Sequence, residues 1–212
     1  MPVAGRDLIY RVDAEDLLCH VDAVWEAFAA ANGGEDLGAR QVLGRSLWAF
    51  VCDPSMSQLY RHLMAEARRG GQVRLRFRCD APTERRLLEM HVTGLADGAV
   101  EFRTRPIVLA FRPHEALLDV HGARTGMPLP VCSWCNRVWV GDGWVEVEIA
   151  VERLHLMLRT VLPPLAHVTC DDCRSTIRRQ VGRYFATAPV PVPATPPLIL
   201  SLGDDPFVLG AA

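Results

Sequence analysis

A helical pattern stands out between residues 55 and 70 of the chain. Apolar side chains recur there at the three- and four-residue spacing of one helix face, and two glycines follow. Ser55 is placed to cap the first turn, and Gln58 would complete a capping box. A shorter pattern predicts a second helix, capped by Asp22 and ending at Asn32. The apolar face of the longer helix consists of Met56, Leu59, Tyr60, Leu63, Met64 and Ala67.

Alternating apolar and polar side chains predict strands on both sides of these helices. Two short strands, over residues 9–13 and 16–21, would pair as a hairpin. After the longer helix, three segments over residues 73–79, 86–93 and 100–105 form a meander with tight turns between them. This order predicts an α+β domain, with one five-stranded antiparallel sheet and helices packed on one face.

The rest of the chain divides into three segments. Residues 107–130 carry prolines and little periodicity, which predicts a linker. Residues 131–183 contain most of the cysteines, and we call them the cysteine module. Within it we predict a small hairpin followed by an amphipathic helix over residues 144–158. Residues 184–212 are rich in proline, which predicts a disordered or extended tail.

Four of the seven cysteines form two Cys-x-x-Cys pairs, Cys132 with Cys135 and Cys170 with Cys173. Each pair can turn both sulfurs toward one point, and two pairs supply the four thiolates that tetrahedral zinc prefers. We therefore predict a closed structural zinc site, in which His167 could replace one thiolate. A reversible dithiol switch and ordinary packing cysteines remain open as alternatives.

Composition limits the classes of function. The chain has 212 residues, 50% of them apolar, and a formal net charge of −2. Its overall charge therefore does not attract nucleic acid or anionic membranes. No apolar run reaches the length of a membrane span, and the N-terminus lacks a signal-peptide pattern. We therefore expect a soluble cytoplasmic protein with no membrane partner. In a reducing compartment, paired cysteines favour a metal over a disulfide.

Catalytic motifs are missing from the sequence. It has no phosphate-binding glycine loop, no nucleophile elbow and no kinase catalytic block, so we expect no enzymatic activity. Arginines after the second cysteine pair form a candidate nucleic-acid patch, but aspartates adjoin them, and binding of nucleic acid is disfavoured. These arginines are Arg174, Arg178, Arg179 and Arg183.

Short motifs follow one another through the first hundred residues. They are Trp25-x-x-Phe28-Ala29 with Asn32, Gly44-Arg45-x-Leu47-Trp48-x-Phe50 with Asp53, Leu59-Tyr60, and Phe77-Arg-Cys-Asp80 with Arg85-Arg86. In this order and spacing they resemble a bacterial PAS sensor domain over residues 8–106. The cysteine module is similar to small cysteine-rich modules appended to bacterial signalling domains. The resemblance implies a domain that buries a ligand or a deformable core between sheet and helices and passes the change to a partner.

The resemblance also allows several cofactors, and the residues present exclude some of them. Haem needs an axial histidine directed into the pocket, and His62 would lie on the polar side of its helix. The Asn-Cys-Arg-Phe-Leu run of flavin photosensors does not occur, and Cys52 is not part of such a motif. We therefore expect neither haem nor flavin. The expected lining suits a small apolar ligand or none, and consists of Trp48, Phe50, Tyr60, Met64, Phe77 and Met90.

Together these features predict a non-catalytic bacterial signal-transduction protein. A PAS sensory or dimerisation domain, for which a homodimer stays open, would be coupled to a structural zinc module that binds an unidentified signalling protein. Two alternatives stay open. One is a thiol redox sensor that uses the same cysteine pairs, and the other is a DNA-binding transcriptional regulator.

Overall fold

The first half of the chain forms one antiparallel sheet. The computed structural model describes residues 6–51 and 53–181, so Cys52 and the predicted tail, residues 184–212, lie outside the described residues. The strand order is β2-β1-β5-β4-β3, and every neighbouring pair is antiparallel. The strands are β1 (Leu8–Val12), β2 (Leu18–Val21), β3 (Gln72–Arg78), β4 (Glu84–Gly94) and β5 (Val100–Phe111).

Helices between β2 and β3 cover one face of this sheet. They are α1 (Ala23–Ala31), α2 (Ala39–Val42) and α3 (Pro54–Arg68). All six apolar residues predicted for the longer helix are buried in α3. The strand order and the single helical layer confirm the predicted PAS-like α+β fold.

The second half of the chain forms a smaller sheet of order β8-β7-β6-β9, in which β6 and β9 are parallel. Two helices accompany it, and within the described residues no helix is long and apolar enough to cross a membrane. The elements are β6 (Leu129–Cys132), β7 (Val138–Val140), β8 (Gly143–Val145), α4 (Val147–Arg153), β9 (Leu165–Val168) and α5 (Asp171–Val181).

Two predicted boundaries are wrong. Strand β5 continues through Pro106 to Phe111, where residues 107–130 were expected to be linker, because the pairing with β4 shifts register next to the proline, with Ile107 as the extra residue of β5. The predicted helix over residues 144–158 is shorter, since α4 ends at Arg153 and His155 adopts a left-handed conformation with φ of 52°. A separate 3₁₀ turn follows that residue.

The start of α3 also differs from the prediction. The carboxylate of Asp53 accepts a hydrogen bond from the backbone N–H of Met56 at 2.9 Å, and Pro54 occupies the first helical position. Proline suits that position because its missing N–H would have had no partner there. Ser55 is therefore inside the helix, and the predicted Ser55–Gln58 capping box is wrong.

Several outward-facing arginines of the sheet form ion pairs with carboxylates. Glu89 is 1% exposed and accepts from His91, Arg105 and Arg76 at 3.0, 2.7 and 3.1 Å. These hydrogen bonds, that of His91 first, lower the pKa of Glu89 to about 2. Glu101 is bound in the same way by Arg11 and Arg103.

The buried side chains form two clusters. The larger cluster joins the PAS-like sheet and its helices to five residues of the cysteine module. The smaller one fills the space between α4 and the second sheet. It contains Leu117, Val131, Val138, Val147, Ala150 and Leu156.

Replacing Asp53 with alanine should lower the free energy of unfolding by about 1 kcal/mol, because the N–H of Met56 loses its acceptor. Asp53→Asn should retain most of the stability, since asparagine caps equally well. Ser55→Ala is the matched control, with an expected change below about 0.5 kcal/mol. Urea unfolding at constant metal content measures all three, and equal losses in Asp53→Ala and Ser55→Ala would contradict the assigned cap.

Candidate metal centre

The two cysteine pairs lie on turns that leave neighbouring strands. Cys132 ends β6, and the chain turns back beyond it because the N–H of Asn136 donates to the carbonyl of Cys132 at 2.9 Å. Strand β9 runs parallel to β6, with Val168 opposite Cys132. The chain leaving β9 therefore brings Cys170 beside the first pair.

All four sulfur atoms converge. The Sγ atoms of Cys132, Cys135, Cys170 and Cys173 lie within 4.8 Å of one another, and those of Cys135 and Cys170 are 3.9 Å apart. Four thiolates bound tetrahedrally at a Zn–S distance of about 2.3 Å would be about 3.8 Å apart. The cluster could therefore hold a metal ion, and its geometry is compatible with zinc.

Backbone groups also favour thiolates at this place. The N–H of Cys170 donates to the sulfur of Cys132, and the N–H of Cys173 to the sulfur of Cys170, both at 3.4 Å. Cys173 lies in the first turn of α5, where the free N–H groups and the helix dipole stabilise negative charge. Hydrogen bonds from charged or polar donors of this kind favour the ionised form of a thiol.

Without a cation the four sulfurs compete for protons. The pKa of Cys132 lies well below the ordinary thiol value, chiefly because the thiol of Cys135 donates a hydrogen bond to it. The pKa of Cys173 is raised, first by its hydrogen bond to Cys132. A bound divalent cation removes this conflict because it takes all four ligands as thiolates.

His167, the predicted substitute ligand, does not join the cluster. It lies on β9 opposite Val131 with an exposed side chain, and it is not among the residues whose ligand atoms converge.

The arginines of α5, the candidate nucleic-acid patch, are only partly described by the structure. Arg174 pairs with Asp171 and Arg179 with Thr176, whereas the side chain of Arg178 and the whole of Arg183 lie outside the described set.

Trp134, inside the first cysteine pair, connects the cluster to the PAS-like core. Its side chain is 4% exposed, and its ring centroid lies 5.5 Å from that of Phe77 on β3. Its carbonyl accepts from the N–H of Arg78 at 2.9 Å. Sequence reasoning assigned no role to Trp134, although an aromatic residue between two predicted ligands was a signal that it packs against something.

Charged pairs reinforce the same junction. Arg78 bonds Asp80 within the sheet and Glu146 of the cysteine module, the latter at 2.6 Å. Glu148, on α4, is bound by Arg85 at 2.8 Å and by Arg112 at 3.0 Å. The cysteine module is therefore attached to the edge of the PAS-like sheet by apolar, backbone and ionic contacts.

The residues predicted to line a ligand pocket lie in or beside the main core. Five of them are buried, and Trp48 is half-buried, with its indole N–H donating to Asp16 at 2.9 Å. Two cavities, of about 240 and 200 Å³, are lined by other residues. The predicted apolar lining stays a prediction. The five buried residues are Phe50, Tyr60, Met64, Phe77 and Met90.

Comparison with known proteins finds similarity in three dimensions. No protein-family model and no curated protein sequence matches the chain. A domain of a sensory box sensor histidine kinase/response regulator from Geobacter sulfurreducens is 19% identical, with a TM-score of 0.35, over 47% of this chain and 82% of that one.

Two further solved structures are similar over about half of the chain. A domain of an HTR-like protein from Haloarcula marismortui is 15% identical, with a TM-score of 0.34, over 48% of this chain and 98% of that one. The PAS-B domain of Drosophila melanogaster Cycle, solved with bound glycerol, is 15% identical, with a TM-score of 0.32, over 47% and 99%. At these sequence identities and TM-scores the similarity does not assign a function, and the PAS-like fold is assigned from the strand order.

The purified protein should contain one zinc ion per chain, with four sulfur neighbours at about 2.3 Å by X-ray absorption. Cys173→Ser should lose most of the metal, because an oxygen replaces one of four converging thiolates. Cys19→Ser is the matched control, since Cys19 is an exposed thiol outside the cluster. Elemental analysis measures all three proteins, and equal zinc in the two variants would contradict the site.

Proposed function

We propose that the chain is a non-catalytic signal-transduction protein of bacterial type, in which a PAS-like sensory domain and a structural zinc centre work as one unit. The observation that carries the proposal is the position of Trp134. This residue belongs to a metal-binding turn, yet it packs against Phe77 in the core of the PAS-like domain. A change in that core is therefore transmitted to the zinc turn, and the reverse also holds.

The sensory part of the proposal rests on the PAS-like fold. Its resemblance implies that a ligand or a deformable core between sheet and helices produces the signal. Strand β3 is well placed to transmit it, because Phe77 faces that core while the next residue, Arg78, bonds the carbonyl of Trp134. A displacement of the end of β3 would move the turn that carries Cys132 and Cys135.

Zinc has a structural role in this proposal. Thiolates take all four coordination positions, so none is open for water or substrate. The smaller buried cluster has six residues, five of them from the cysteine module, which is too few to hold such a segment folded by itself. Zinc bound to four thiolates contributes on the order of 10 kcal/mol to folding in small modules of this kind.

The output is binding to another protein in the cytoplasm. A signalling partner, with or without formation of a homodimer through the PAS-like domain, would contact a surface whose shape depends on the zinc centre. Several apolar side chains are exposed on or near the cysteine module and would contribute to such a contact. They include Phe111, Met127 and Leu158, which are 84%, 86% and 81% exposed.

Removal of the metal should loosen the cysteine module first and then the part of the PAS-like domain that it touches. A high-affinity chelator should abolish hydrogen-exchange protection in α5 and β6, and lower it at the end of β3, because Trp134 and Ile177 leave the shared core. The hairpin of β1 and β2 is the internal control and should keep its protection.

Two outcomes separate the parts of the proposal. Protection lost only in the cysteine module would leave zinc structural but contradict the coupling through Trp134. Unchanged protection throughout the chain would contradict both.

A thiol redox sensor is the second candidate, favoured by the 3.9 Å distance between the sulfurs of Cys135 and Cys170. We expect mild peroxide to leave the zinc in place, because three of the four cysteines are buried. Zinc release and thiol titration after peroxide treatment distinguish the two. Stoichiometric release of zinc together with disulfide formation would contradict a purely structural role and support the redox sensor.

A further inference from the structure

A cavity lies between α1 and the PAS-like sheet, away from the metal cluster. Its volume is about 240 Å³, and it is bounded by α1 on one side and by β1, β4 and β5 on the other. Among the described residues of the cysteine module, none lines it. Its walls are largely apolar. Val24, Phe28, Leu8, Leu88, Pro106 and Leu109 contribute to them.

Two polar side chains line this cavity without partners among the described residues. Thr104, on β5, is 4% exposed, and its hydroxyl is buried and makes no hydrogen bond there. Buried polar groups normally have partners, because leaving them unpaired is unfavourable. Glu84, the first residue of β4, is 8% exposed as a residue, and its carboxylate, which is open to the cavity, has neither a hydrogen bond nor an ion pair with the described part of the chain.

Glu84 differs in this respect from the other glutamates of the sheet. Glu89 and Glu101 lie on the opposite face, and each is bound by at least two cationic side chains. The main chain of Glu84 is held in place by reciprocal hydrogen bonds with Ala81 across the turn between β3 and β4. Its side chain is therefore positioned but not neutralised.

Arginines line the same cavity. Arg86 is held by hydrogen bonds from Nε to the carbonyl of Cys79 at 2.6 Å and from Nη2 to the side-chain oxygen of Asn32 at 2.9 Å. Its guanidinium also lies 5.2 Å from the ring centroid of Phe28. The remaining terminal nitrogen, Nη1, has no hydrogen bond to the described residues. Arg6 and Arg105 are the other cationic side chains of the lining, and Arg105 is already paired with Glu89 at 2.7 Å.

We propose that this cavity binds a small zwitterion, namely an α-amino acid with an apolar side chain. Its ammonium group donates to the carboxylate of Glu84 and to the hydroxyl of Thr104. Its carboxylate accepts from Arg86 and Arg6, and its side chain lies against the apolar wall formed by α1. The cavity has room for about eight waters at about 30 Å³ each, which matches an amino acid of moderate size.

This inference deepens the proposed function. Binding of the amino acid does not depend on that function, but its role as the signal does. The cavity is a different site from the metal cluster, so its ligand can be tested on zinc-loaded protein by itself. Charge is the feature that defines the ligand. A plain amine would leave the arginines unused, and a plain carboxylate would leave Glu84 unpaired.

The test uses the full zinc-loaded chain and a panel of alanine, valine, leucine and phenylalanine. At least one should raise the melting temperature progressively, with the logarithm of its concentration once the site is saturated, and calorimetric titration gives its affinity. For leucine the matched probes are 3-methylbutylamine, which lacks the carboxylate, and 4-methylpentanoate, which lacks the ammonium. Each should bind at least about tenfold more weakly than leucine, since each forfeits a hydrogen bond to a charged group.

Substitutions assign the binding to this cavity. Glu84→Gln should weaken binding of the amino acid at least about tenfold, and Thr104→Val by a few-fold. Glu101→Gln removes the same charge on the opposite face and should leave the affinity unchanged. Glu84→Gln should also melt no lower than the wild type without ligand, because the carboxylate that it removes makes no hydrogen bond or ion pair with the described residues.

Three results would overturn the inference. They are the absence of any shift with the panel, equal binding of 4-methylpentanoate and leucine, and equal affinity in Glu84→Gln and the wild type. Zinc content, measured on every sample, separates these results from a failure of the metal centre. A protein with normal zinc and normal response to chelator but no amino-acid binding contradicts this inference alone.

Discussion

Four sulfur atoms within 4.8 Å of one another impose the main constraint on this molecule. They cannot all be thiolates at that distance without a cation, and as thiols they would lack the charge that their backbone donors favour. The two turns that carry them come from β6 and from the start of α5, elements separated by a hairpin and a helix. Closing the cluster therefore determines the path of everything between them.

The cysteine cluster also constrains the PAS-like domain, because residues next to the cysteines pack into the core of that domain. Trp134 extends from the first cysteine pair into the main core, and Ile177 of α5 does the same from the second. The side chain of Asp80 is fully buried between Arg78 and Arg112, whose other partners, Glu146 and Glu148, belong to the cysteine module. Buried ionic contacts of this kind favour one relative orientation, since any other would leave charges unpaired.

Sequence reasoning succeeded where a local pattern was sufficient. The apolar face of α3, the strands of the PAS-like sheet and the four convergent cysteines all follow from spacing along the chain. It failed where a competing local signal or a contact between strands outweighed the pattern that was read. Asp53 caps α3 in place of Ser55 because the neighbouring Pro54 occupies the first helical position, and β5 passes through Pro106 because the pairing with β4 shifts register beside the proline.

The amino-acid sequence by itself determined the fold class and the four cysteines that could hold a metal ion, because periodicity selects helix or strand and soft thiolates in two spaced pairs suit one ion. Only the tertiary structure decided what the cysteine cluster is attached to. The packing of Trp134 against Phe77, and the burial of Glu84 and Thr104 at one cavity, join residues far apart in the chain. No local pattern records such contacts, because each depends on how whole elements pack against one another.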